Sequence, residues 1–283
     1  MADSRDVLKG RVVVITGGAR GMGRAYTDAF LAAGAKVVAT DRSWEGVAPP
    51  QGELLALDMD VTVEAQIDKA YQATLDRFGT VDVLIGNAAM RQRDLFPPTG
   101  RVTTLETKDS DWEKSFAVNV FGALKVIRRF IRPMLEKNRG SIVSVVSSGI
   151  LHHSQGGAYA ALRPNSREMP YQSSKAALAT MSFYLADEVK AHNVAVNIVV
   201  PGHTRTTGFD EQNRARLALG GRPGPQPVVP EHMVPLVMHL AAQDARSVTG
   251  KMFDVMTWNS EHGLGGHEAW ADKDFSYEAL MPR

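Results

Sequence analysis

Val12-Val13-Val14-Ile15 runs directly into Thr16-Gly17-Gly18-Ala19-Arg20-Gly21-Met22-Gly23. An apolar strand that ends in a glycine-rich turn and continues as a helix is the geometry that cradles a dinucleotide diphosphate. The glycines let the backbone turn tightly and approach the phosphates, and the helix N-terminus offers unpaired N–H groups and the positive end of its dipole. Three spaced glycines also occur in ordinary strand-to-helix turns, so the flanks decide. Here 23–33 has helical composition, and Val37-Val38-Ala39-Thr40 is a second apolar run closed by Asp41, 18 residues beyond Gly23.

Asp41 bears on cofactor choice. A carboxylate at the end of the second strand accepts hydrogen bonds from the adenosine ribose and repels a 2′-phosphate, which favours NAD over NADP. Arg20 and Arg42 pull the other way, because a guanidinium beside the ribose receives a phosphate well. The carboxylate is weighed more heavily.

Outward from this unit, strand and helix signals alternate. Further apolar runs lie at 54–57, 81–85, 141–146, 194–200 and 251–255, with helical patterns at 63–78, 112–138 (bent near Pro133), 171–191 and 231–242. Seven strands separated by helices predict an α/β, doubly wound Rossmann fold: a seven-stranded parallel sheet with helices on both faces. No linker divides the chain, so residues 1–283 are expected to form a single domain with a C-terminal extension at 256–283. Four stretches break the rhythm: 90–108, 150–170, 204–230 and 256–283. The first three follow strands and should crowd the carboxyl end of the sheet, where ligands bind in such folds.

Composition excludes several classes. Of 283 residues, 44% are hydrophobic and 22% charged, and 32 basic residues against 31 acidic ones give a net charge of +1. No nucleic-acid partner is expected from such a balance. The chain has no cysteine, hence no disulfide framework or thiolate metal site. No apolar run reaches the length of a membrane span, and 1–10 is too polar for a signal core. The cytoplasm is the expected compartment.

Tyr171 and Lys175 stand four apart on a predicted helix and share a face. Of the six tyrosines this one alone has a lysine at the fourth position on. An ammonium beside a phenol stabilises the phenolate, which suits an acid/base near neutral pH. Without the glycine turn, a plain helix surface pair would be the better reading.

With these motifs assembled, the chain resembles the short-chain dehydrogenase/reductase family over roughly residues 8–255. Thr16-Gly17-x-x-x-Gly21-x-Gly23 resembles its nucleotide turn, Met22 included. Asp60-Val61 resembles its adenine contact, and Asn87-Ala88-Ala89 its Asn-Asn-Ala-Gly motif, with Gly86 and Ala89 at the departing outer positions. Asn119, Ser147 and Tyr171-x-x-x-Lys175 fall where the family places its catalytic residues. Pro201, Gly202, Thr204 and Thr206 fall in its nicotinamide-side segment. The resemblance implies that Tyr171 exchanges a proton with the substrate oxygen, and that Lys175 binds the nicotinamide ribose and tunes Tyr171. It implies that Ser147 (with Ser148 as the alternative) orients the reacting group, and that Asn119 holds a water linking Lys175 to solvent. It further implies a homo-oligomer, a tetramer, built on 112–138 and 171–191, where Ala176, Ala177, Ala179 and Thr180 would permit close helix approach.

Two departures stand out. The gap from Ser147 to Tyr171 is 24 residues, longer than usual, and holds His152, His153, Tyr159, Arg163 and Arg167. The last strand runs on through Trp258 into a tail with His262, Leu264, His267, Trp270 and Phe275. Its apolar residues predict packing beside the substrate pocket. The histidines show no ligand spacing, and no metal is expected. Arg91, Arg93, His203 and Arg205 join the loop residues as a rim. That rim suits an anionic or hydroxyl-rich small molecule, or is simply solvated surface. The leading expectation is an NAD-dependent interconversion of a secondary alcohol and a ketone. A turnover-free nucleotide sensor and an epimerase on the same fold are the alternatives.

Overall fold

The computed structural model describes residues 4–91, 104–154, 169–206, 209–218 and 226–281. Its centre is one parallel sheet of seven strands: β1 (Val12–Thr16), β2 (Lys36–Asp41), β3 (Leu54–Asp58), β4 (Val83–Gly86), β5 (Gly140–Val145), β6 (Val194–Val200) and β7 (Met252–Asp254). They lie in the order β3-β2-β1-β4-β5-β6-β7. Every residue of β1, β5 and β6 is buried, which is why these strands read as predominantly apolar runs rather than as alternation; the buried polar side chains in β5 and β6, Ser141, Ser144 and Asn197, are hydrogen-bonded.

Successive side chains of β1 serve opposite faces. Val13 and Ile15 pack with Tyr26 and Phe30 of the helix Gly21–Ala32 and with Leu236 and Leu240 of the helix Val234–Ala241. Val12 and Val14 pack with Ile67 of the helix Glu64–Phe78, with Phe130 and with Val189. Both faces are thereby covered. The order reverses at β1, whose neighbours are β2 and β4, and a crevice opens there at the carboxyl ends of the strands.

The helix expected at 112–138 is not continuous. It comprises the α-helix Asp109–Phe116, a π-helical segment Ala117–Gly122, and the helices Ala123–Phe130 and Arg132–Glu136. The run breaks at Ile131, beside Pro133, which stands in the first turn of the last helix, where a missing N–H costs nothing. A second irregularity, the π-helical turn, lies at Asn119. There Gly122 sits against Val61, whose side chain would stand 2.8 Å from an added Cβ.

Candidate active site

The glycine turn is built by steric exclusion. Gly17 has φ of 68°, a left-handed conformation that favours glycine. A Cβ on Gly23 would stand 1.8 Å from the Gly17 carbonyl oxygen, so only glycine allows the helix to start so close to the strand end. Asn87, just beyond β4, fastens the turn. Its Nδ2 donates to the carbonyls of Thr16 and Gly17 at 3.0 and 3.1 Å, while the Asn87 and Ala88 N–H groups both donate to Thr16 Oγ1 at 3.0 Å.

A cleft of about 570 Å³ opens over this turn, within the range of a cofactor site. Gly17, Arg20, Gly21, Met22, Asp41, Arg42, Asp60, Val61, Asn87, Ala88, Ala89 and Thr206 line it. Gly23, Pro201, Gly202 and Thr204 do not line it, and neither do Asn119, Ser147, Tyr171 and Lys175. Gly23 acts behind the turn, as the clash with Gly17 requires.

Asp41 ends β2, where its Oδ2 accepts the Ala19 N–H at 3.0 Å. Arg20 lies 4.0 Å from that carboxylate, but its Nη1 and Nη2 donate at 3.0 Å to the carbonyls of Ser43 and Glu45. The guanidinium is thus already engaged by the following loop. Arg42 is exposed at the cleft. Asp60 Oδ1 accepts from the Thr62 N–H and hydroxyl at 2.8 and 2.7 Å, which fixes the carboxylate at the cleft wall.

The Tyr171–Lys175 pair stands at the start of the helix Tyr171–Val189. Lys175 is 2% exposed, and its Nζ donates to the Val145 carbonyl at 2.9 Å, at the very end of β5 and two residues before Ser147. The ammonium lies 5.9 Å from the Tyr171 ring centroid. Burial, reinforced by the Arg91 charge, lowers the Lys175 ammonium to about 7. The helix thus carries a lysine whose charge is costly to keep and responsive to any anion or hydroxyl brought beside it.

Asn119 joins this pair to the cleft. Its Oδ1 accepts the Met90 N–H at 2.8 Å, and its Nδ2 donates to the Met90 carbonyl and Ser174 Oγ, both at 2.9 Å. Met90 lines the cleft and Ser174 precedes Lys175. The π-helical turn places Asn119 there, a frequent use of such irregularities. These bonds fix the orientation of the Asn119 amide. Ser147 Oγ accepts the Gly149 N–H at 3.5 Å, a long contact that leaves the hydroxyl's proton uncommitted to it.

On the far side, the Gly202 N–H donates to His232 Nε2 at 3.0 Å, and His232 Nδ1 lies 2.8 Å from the Val229 carbonyl. A carbonyl only accepts, so Nδ1 bears the proton and the ring is neutral. Burial depresses His232 to about 4.

Several lining residues escaped sequence reasoning. Met59 and Thr62 flank Asp60-Val61, and extending the motif by one residue would have found them. Lys114, Ala117 and Val118 required the helix phase set by Asn119. Arg91, expected at the substrate rim, instead lines this cleft, with Nη1 donating to Thr206 Oγ1 at 2.5 Å. Arg205, also placed on that rim, is engaged by Asp210 and Asp272. Leu264 is exposed, and His262 stacks on Trp258 at 3.9 Å. Arg93, Tyr159, Arg163 and Arg167 lie outside the described residues, as do the side chains of His152 and His153. Among the described residues no three His, Asp or Glu side chains converge as metal ligands, and no helix is long and apolar enough to cross a membrane.

The comparisons agree with this geometry. The family model for short chain dehydrogenases matches residues 11–217. Fluoren-9-ol dehydrogenase of Terrabacter sp. (strain DBF63) is 50% identical over 273 residues, covering 94% of this chain and 76% of that protein. The 3-oxoacyl-[acyl-carrier-protein] reductase of Escherichia coli (strain K12) is 28% identical over 258 residues, covering 88% of this chain and 96% of that one. A solved short-chain dehydrogenase/reductase from Burkholderia xenovorans superposes with a TM-score of 0.69 at 26% identity, covering 88% of this chain and 96% of that chain. The glycine turn, the sheet order and this extent of similarity together establish that the chain belongs to the short-chain dehydrogenase/reductase family of oxidoreductases, which work with NAD(H) or NADP(H).

Proposed function

We propose that the protein is an NAD-dependent dehydrogenase that interconverts a secondary alcohol and its ketone, with Tyr171 as the acid/base. The observation that carries this reading is the buried Lys175, one helical turn past Tyr171 and bonded to the end of β5 beside Ser147. A buried ammonium is expensive to maintain, and here its position answers a chemical need rather than a packing one.

The dinucleotide, when bound, accepts or supplies the hydride. The glycine turn and Asn87 fit it, because a Cβ added at Gly17 or Gly23 would strike Asn87, Ala88 or the Gly17 carbonyl and push apart the turn that lines the cleft. Asp41 and Asp60 would hold the adenosine end. Engagement of Arg20 by the Ser43 and Glu45 carbonyls supports NAD, since the guanidinium is drawn from a 2′-phosphate position. In the oxidative direction Tyr171 takes the hydroxyl proton and Ser147 donates a hydrogen bond to the same oxygen. Lys175 stabilises the phenolate of Tyr171 and returns the proton toward solvent. Asn119, fastened by its amide to Met90 and Ser174, would hold the relay water that links Lys175 to solvent.

The 50% identity to fluoren-9-ol dehydrogenase supports a polycyclic aromatic secondary alcohol as the substrate class. A tetramer remains the proposed assembly. Phe121, Phe183 and Tyr184 are exposed on the expected interface segments, at 55%, 40% and 70%. Ala179 takes no part in that face, because it is buried against the sheet.

The test is oxidation of fluoren-9-ol by purified protein, followed through NADH absorbance, with NAD⁺ and NADP⁺ in parallel. NADH formation with the matching ketone, faster with NAD⁺, is expected. No turnover across a panel of diaryl and alkyl secondary alcohols, in a protein that still binds NAD⁺, would overturn the dehydrogenase reading.

A further inference from the structure

Arg205 sits between Thr204 and Thr206 in the loop that leaves β6, yet its guanidinium takes no part in the cleft lining. Nε and Nη2 donate to the two carboxylate oxygens of Asp210 at 3.1 and 2.7 Å, and Nη1 donates to Asp272 Oδ2 at 3.2 Å. The same guanidinium lies 5.2 Å from the centroid of the Phe275 ring. Two carboxylates and an aromatic face therefore hold one cation, an arrangement suited to the rigid fork of arginine and not to lysine.

The backbone repeats the connection. The Arg205 N–H donates to the Val228 carbonyl, the Val228 N–H to the His203 carbonyl, and the Asp272 N–H to the Pro227 carbonyl. Gln226 Nε2 donates to the carbonyls of Asp272 and Phe275 at 2.7 and 2.9 Å. Beneath this ladder Phe209 packs with Phe275, Tyr277 and Leu280 in a cluster separate from the sheet core. The tail thus grips both the β6 exit loop and the start of the helix Phe209–Ala218.

One residue further on, Thr206 meets the cleft. Its hydroxyl accepts from Arg91 across the opening, and its methyl carbon lies 3.4 Å from where a Cβ on Gly21 would stand. A peptide linkage on either side of Arg205 leaves little slack between the tail and the glycine turn.

We propose that Arg205 is a positioning residue through which the tail segment 271–280 sets where Thr206 stands over the glycine turn, and so tunes binding of the part of the dinucleotide that lies beyond its adenosine end. The proposal rests on the dinucleotide reading above. It also accounts for the apolar character of a tail that follows the last strand. Phe275, Tyr277 and Leu280 are buried because they form the floor on which the loop rests.

The experiment compares NAD⁺ with AMP, which reaches only the adenosine end at Asp41 and Asp60, by titration calorimetry. Wild type is set against Asp272→Asn and the milder Arg205→Lys, with melting temperatures recorded. Loss of the brace should weaken NAD⁺ about fivefold or more, the lower range of coupling between linked sites, while AMP changes by less than about twofold. Asp272→Glu, which keeps a carboxylate, should restore NAD⁺ binding toward wild type. Unchanged NAD⁺ affinity in both variants, even with a lowered melting temperature, would reduce Arg205 to a structural brace and overturn the proposal. Equal weakening of both ligands would also overturn it. A wild-type protein that binds neither ligand would instead remove the dinucleotide reading itself, and the proposal with it.

Discussion

Lowering the pH should release the Gly202 turn through His232. This ring is fully buried, neutral, and bonded at both nitrogens, with Nδ1–H donating to Val229 and Nε2 accepting from Gly202. Burial lowers its pKa from 6.5 to about 4, against smaller opposing effects from the Val229 bond and Asp254, while His267 pushes further down. The unfolded chain therefore takes up this proton first as the pH falls, so the folded state loses stability through the window from 6.5 down to about 4. Above 6.5 the contribution is fully present, and below about 4 it is gone. The interval corresponds to roughly 3 kcal/mol, at about 1.4 kcal/mol per pH unit. Protonation also sets the new Nε2–H against the Gly202 N–H, two donors face to face. The loop beside the cleft should therefore loosen before the sheet does.

The assay is denaturant unfolding of wild type and His232→Gln above pH 6.5 and again near 4. Glutamine keeps an amide oxygen for Gly202 but does not titrate. Carboxylates shared by both proteins cancel in the difference, so the advantage of wild type should shrink by roughly 3 kcal/mol across the window. A difference that stays constant with pH would refute the assignment of a buried, neutral His232.

Replacing Tyr171 by Phe should lower kcat by about 10²–10⁴-fold or more with NAD binding nearly intact, because only the proton-exchanging oxygen is lost. Wild-type kcat would remove Tyr171 from the chemistry. Replacing Asp41 by Ala should weaken NAD and raise the kcat/KM ratio for NADP over NAD, with Arg42 then facing the 2′-phosphate; an unchanged ratio would exclude Asp41 from cofactor choice. Gly23→Ala should abolish dinucleotide binding, given the 1.8 Å approach to the Gly17 oxygen, and normal NAD affinity by calorimetry would contradict that geometry. Light scattering should find a tetramer at micromolar concentration, and a fully active monomer would rule it out.

The sequence by itself determined whatever a short stretch of chain can encode. Strands buried on both faces need mostly apolar residues, so β1, β5 and β6 were legible without a partner in view. The glycine turn was legible because its backbone excludes side chains at fixed positions, and Tyr171 with Lys175 because one helical turn brings them together. Only the tertiary structure decided the pairings between distant segments. Asn119 meets Met90 29 residues away, through a π-helical turn that no pattern in 112–138 announces, whereas the break beside Pro133 is legible in the sequence. Arg91 meets Thr206, and Arg205 meets Asp272 67 residues on, which turns two apparent rim cations into a cleft residue and a tail anchor. His232 carried no local signal at all, since its neutrality comes from burial and from partners supplied by two loops. Periodicity records which face of an element is covered; the identity of what covers it depends on how the elements pack.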